Sequence, residues 1–129
     1  MKSDLTGSQV KALFLVAAQS RRTPGVPYSD LLDKAADDAT TVQELTAIKE
    51  QAKGFLTKVA DRRHRDAATV LYHAAVAAAY VRHGAAISGR PIRKQQKLYE
   101  TFASTWAEHP IGRLFREAAR RAAATDASN

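Results

Sequence analysis

Apolar and polar positions alternate with a helical period through most of this chain. Val10, Leu13, Phe14, Ala17 and Ala18 form one stripe, broadened by Leu15 and Val16, and predict a helix over about Ser8–Arg21. The Pro- and Gly-rich run Arg22–Pro27 stops it. Leu31, Leu32, Ala35, Ala36 and Ala39 predict a short helix from about Asp30 to Asp38, with Ser29 as its N-cap. Thr41-Val-Gln-Glu44 matches a capping box. Val42, Leu45, Ile48, Ala52, Phe55 or Leu56, and Val59 continue from it at helical spacing. Gly54 interrupts that helix and implies either close packing or a local kink.

The next segment differs in kind. Ala67–His83, AATVLYHAAVAAAYVRH, is apolar on every side, with His73 its only strongly polar interruption before Arg82. A soluble helix of that pattern must be wrapped by others. Gly84 suits its left-handed end. After the turn Ile87–Pro91, with Pro91 at a first helical position, Ile92, Gln95 or Gln96, Tyr99, Phe102, Ala103 and Trp106 line one face. His109-Pro110 breaks the chain, and Ile111, Leu114, Phe115, Ala118, Ala119 and Ala122 define a last helix. The expected fold is therefore all-α: a single-domain bundle of five or six helices around residues 67–83. Residues 1–124 form the domain and residues 125–129 a flexible tail.

Composition agrees with that class. The chain has 129 residues, 45% hydrophobic and 26% charged, with alanine dominating the apolar set. There is no cysteine, which excludes disulfides, thiolate metal sites and cysteine nucleophiles. Val70–Val81 is the longest apolar run and falls short of the roughly 18–20 residues a bilayer needs. Ala12–Ala18 has the apolar character of a signal-peptide core, but Asp4 stands where positive charge is required. A cytoplasmic protein with no membrane contact is expected.

Charge is distributed unevenly. The formal net charge is +7. Basic residues exceed acidic ones by one in residues 1–60 and by six in residues 61–129. No acid occurs between Asp66 and Glu100, where Arg82, Arg90, Arg93, Lys94 and Lys97 fall. A helix N-terminus with these cations would meet an anion with both free amides and positive side chains. Arg113 and Arg116 would extend the surface if the last two helices form a hairpin. These seven residues are the candidate partner- or anion-binding set, for an acidic protein first and for nucleic acid as the alternative. The competing expectation is a solvated face, or cations paired with acids of the same molecule.

Chemistry is otherwise sparse. His73, with Tyr72 and Tyr80, points to a buried ligand contact, or to a core histidine bonded to a carbonyl or a tyrosine hydroxyl. A small enzyme or ligand sensor built on these residues is a third reading, and it requires a cavity beside the apolar helix. His64, His83 and His109 are too widely spaced for a local metal pair. No metal, cofactor or catalytic residue is expected, and an adaptor or recruitment module without enzymatic activity is the favoured function. Arg65–Gly84, RDAATVLYHAAVAAAYVRHG, resembles the alanine- and tyrosine-rich helix of HEPN-type helical domains, many of which are RNases. The family's closely spaced Arg…His motif is absent, Arg65 and His73 coming nearest, so the resemblance carries over no catalytic residue.

Overall fold

The structure, a computed structural model, describes residues 28–58, 62–89 and 92–127. The helix expected over Ser8–Arg21 lies outside the described residues. The remainder is all-helical: α1 (Tyr28–Ala36), α2 (Val42–Lys58), α3 (Arg62–His83), a 3-10 turn (Ile92–Gln95), α4 (Gln96–Thr105) and α5 (Pro110–Ala127). None of these helices is long and apolar enough to cross a membrane.

Local sequence accounts for most helix ends. The capping box at α2 is formed in full. The Thr41 N–H donates to Glu44 Oε1 at 3.0 Å, and the Glu44 N–H donates to Thr41 Oγ1 at 3.1 Å. These bonds and Lys34 hold the Glu44 carboxyl below its usual range. Gly84 ends α3 in the left-handed region, at φ +62°. Its N–H donates to the Tyr80 carbonyl at 3.0 Å and the Ala85 N–H to the Ala79 carbonyl at 3.1 Å, so two backbone bonds close this end. Ser29, expected to cap, lies inside α1. Asp37 and Asp38 lie in the turn that follows, where the Asp37 carboxylate accepts the Ala39 N–H at 2.9 Å.

α3 packs against α1, α2 and α5. Ala67, Ala68, Val70, Leu71, Ala74, Ala75 and Ala77–Ala79 are buried along it. The covering is not uniform, because Thr69, Tyr72, His73 and Tyr80 stay half-buried on one side. Large side chains come from the neighbours: Tyr28 and Leu32 of α1, Leu45 of α2, and Ile111 and Phe115 of α5 are essentially inaccessible. Each such burial contributes roughly 1.5–3 kcal/mol before chain entropy is counted. Tyr28 meets Phe55 edge-on, with ring centroids 5.5 Å apart. α4 lies on α5 and reaches α3 through rings: Tyr99 and Phe102 both approach Phe115 and His73.

Two interior glycines behave oppositely. A Cβ on Gly54 would meet nothing within 4 Å, so close packing is not its reason. A Cβ on Gly112 would stand 2.2 Å from the Trp106 carbonyl oxygen. That oxygen already accepts the His109 N–H at 2.9 Å, so the turn cannot easily withdraw. In urea denaturation, Gly54→Ala is expected to stabilise by about 0.5–1 kcal/mol. Gly112→Ala is expected to destabilise by about 2 kcal/mol or more. Burial pushes the Tyr28 phenol from 10.0 up to about 12. The folded state therefore holds that proton more tightly than the unfolded chain. Stability complete below pH 10 should fall as pH rises to about 12. Denaturation midpoints across that range should decline less steeply in Tyr28→Phe.

Candidate functional site

The seven expected cations have different fates. Arg82, at the end of α3, is not on an open face. Its guanidinium donates to the Ala35 carbonyl at 3.1 Å, the Asp37 carbonyl at 2.6 Å and the Ala36 carbonyl, and pairs with Asp38 at 2.9 Å. These carbonyls close the C-terminal end of α1, where a cation complements the helix dipole. The side chain is 16% exposed. Arg82 is thus a clamp between α3 and α1, and the sequence reading that placed it in a partner-binding set is corrected on that ground. His83 acts alongside it, its Nε2–H donating to the Thr40 carbonyl at 3.0 Å.

Arg90 and the side chain of Arg93 lie outside the described residues. The α-helical start expected near Pro91 is replaced by the 3-10 turn, and α4 begins at Gln96. Gln95 occupies the N-cap position without a side-chain capping bond. Lys94 therefore lies in the 3-10 turn that leads into α4, and Lys97 stands in the first turn of α4. Both are exposed, as are Arg113 and Arg116 on α5. None of these four joins an ion pair among the described residues. Lys97 and Arg116 fall at similar heights on the α4–α5 hairpin, roughly 10 Å from its turn, with Arg113 nearer the turn and Lys94 beyond. Arg116 also lines a shallow groove with Gln96, Glu100, Ser104 and Arg120. Beyond it the surface is neutralised locally. Glu117 accepts from Arg120 and from Arg121, and the Arg120 bond leads the causes that lower its carboxyl to about 2.

A second feature was only partly expected. A cleft of about 300 Å³ opens beside α3. Tyr72, His73 and Val76 of α3 form one wall, and Lys53 and Leu56 of α2 face them. Ser88, Gln95 and Tyr99 close the remaining side. Lys49 helps to hold the loop that carries Ser88, donating to the Ile87 carbonyl at 2.6 Å. His73 Nδ1 lies 3.4 Å from the Tyr99 hydroxyl, and the Tyr72 hydroxyl lies 3.4 Å from Ser88 Oγ. Both contacts are at the long limit for a hydrogen bond. Burial, with a smaller effect of Tyr72, raises the Tyr99 phenol. Tyr80 is not in the cleft and instead lies under the Arg121 guanidinium, 5.8 Å from ring centroid to Cζ. Among the described residues no three His, Asp or Glu side chains are grouped to hold a metal ion.

Arg82→Met should lower stability by about 2 kcal/mol in chemical denaturation, because three carbonyls lose a charged donor. Asp38→Asn should leave the midpoint nearly unchanged, since that carboxylate is 97% exposed.

The likeness of Arg65–Gly84 to HEPN-type helices is confined to one helix and lends the chain no activity. No protein-family model, curated protein or solved structure matches this chain.

Proposed function

We propose that this chain is a helical interaction module without enzymatic activity, which recruits an acidic protein through the α4–α5 hairpin and the turn before it. One observation carries the reading. Lys94, Lys97, Arg113 and Arg116 are exposed without a carboxylate among the described residues, while Arg82, Arg120 and Arg121 are paired within the molecule. Exposed unpaired cations steer an acidic partner and set its register. The absence of cysteine suits a reducing cytoplasm, where we place the protein.

Nucleic acid is the alternative partner for this face, and two features weigh against it. Tyr99, Phe102, Trp106 and Phe115, the aromatic residues of α4, the turn after it and α5 other than the His109 ring, are buried and offer no platform for stacked bases. Glu100 and Glu117 interrupt the basic surface, which suits a patterned protein partner better than a uniform phosphate backbone.

Fluorescence anisotropy with a labelled glutamate-rich peptide and a labelled duplex DNA separates the two. The peptide should bind with defined stoichiometry. Changing Lys94, Lys97, Arg113 and Arg116 together to Glu should weaken it about tenfold or more. Tighter binding of DNA with a steep log-linear salt dependence would move the assignment to nucleic acid. Unchanged peptide binding by the charge-reversed chain would remove the face from consideration.

A further inference from the structure

The interaction face leaves the cleft beside α3 without a role, and its lining is selective. Depth follows exposure: Lys53 is exposed at the mouth, Tyr72 and His73 are half-buried along the wall, and Tyr99 is buried at the floor. Among the described residues that line it, Lys53 is the only Lys or Arg, and none is Asp or Glu. An anionic group is therefore preferred over an amine. Between mouth and floor stand Leu56, Val76 and the rings of Tyr72 and His73, the latter two edge-on with centroids 5.3 Å apart. Such walls accept a flat apolar body. At the floor the Tyr99 hydroxyl and His73 Nδ1 are 3.4 Å apart, longer than a good hydrogen bond. A ligand hydroxyl placed there would have the Tyr99 hydroxyl and the His73 ring beside it. The volume of about 300 Å³ lies at the small end for ligand pockets and suits one ring with short substituents.

We infer that this cleft is a binding site for a small aromatic carboxylate bearing a ring hydroxyl. Lys53 pairs with the carboxylate at the mouth, and the hydroxyl meets Tyr99 and His73 at the floor. The site is separate from the α4–α5 face, so the interaction reading and this one stand or fall independently.

Calorimetric titration of the 129-residue chain with para-hydroxybenzoate, its neutral amide and the cationic para-hydroxybenzylamine tests the assignment. The carboxylate should saturate a single site, the amide should bind about fivefold or more weakly, and the amine should not bind measurably. Lys53→Met should bring the carboxylate down to the affinity of the amide and leave the amide unchanged. Lys53 is exposed, so that variant should keep the wild-type melting temperature. Without any substitution, the carboxylate should shift the imidazole resonances of His73 and leave those of His83 and His109 in place. The assignment is overturned if none of the probes saturates below about 10 mM. It is equally overturned if all three bind alike, if Lys53→Met has no effect, or if the His73 signals do not move.

Discussion

Close approach to α3 is the constraint on which this structure rests. Where that helix carries alanine, at residues 74, 75 and 77–79, a neighbouring helix can come near enough to bring large side chains over it. Leu32, Leu45, Ile111 and Phe115 are buried in the same core cluster as these alanines. Enlarging any of these five buried alanines would overpack the core. The role of α3 is therefore to be narrow, and the bulk of the core is supplied by its companions. Tyr72 and His73 of α3 stay half-buried instead and line the cleft, while Tyr80 lies under the Arg121 guanidinium.

Polar ties then set the angles between helices that apolar contact alone leaves free. Arg82 and His83 grip carbonyls of α1 and of the turn after it, so the end of α3 is fixed against the start of the chain's described portion. His109 makes a comparable tie at the opposite connection. Its Nδ1 accepts the Ile111 N–H at 3.0 Å, which caps α5, and its Nε2–H donates to Asp33 of α1 at 2.7 Å. One imidazole thus satisfies a helix start and holds two helices together. Cations and histidines that look like binding residues in a list are, at these positions, parts of the frame.

That division of labour bears on function. The positive charge of the second half of the chain is not one surface. Part of it neutralises helix ends, part is balanced by Glu117, and among the described residues exposed cations remain at Arg65 of α3, in the turn before α4, in the first turn of α4 and on the outer side of α5. The two features we propose for outside partners, the exposed cations of the hairpin and the cleft at its α4 side, adjoin the same short helix. Tyr99 points inward from α4 and Lys97 stands outward from it, so one element contributes to both.

The sequence by itself determined the helical class, the α2 capping box, the glycine stop of α3 and the apolar faces of α4 and α5. All of these are encoded within a few residues, by side-chain period and by bonds spanning six positions or fewer. It misplaced Ser29 and the start of α4, because helix ends are decided by small differences between competing local bonds. Only the tertiary structure decided that Arg82 serves α1, that His109 joins α5 to α1, that Gly112 is pressed against the Trp106 carbonyl, and that Lys53, Ser88 and Gln95 share a cleft with Tyr72 and His73. Arg82 and Ala35 are 47 residues apart, and nothing in the period or spacing of either segment announces the other. Such contacts arise only when packing brings remote backbone and side chains within a few ångströms, and there the free or bound state of each charge is set.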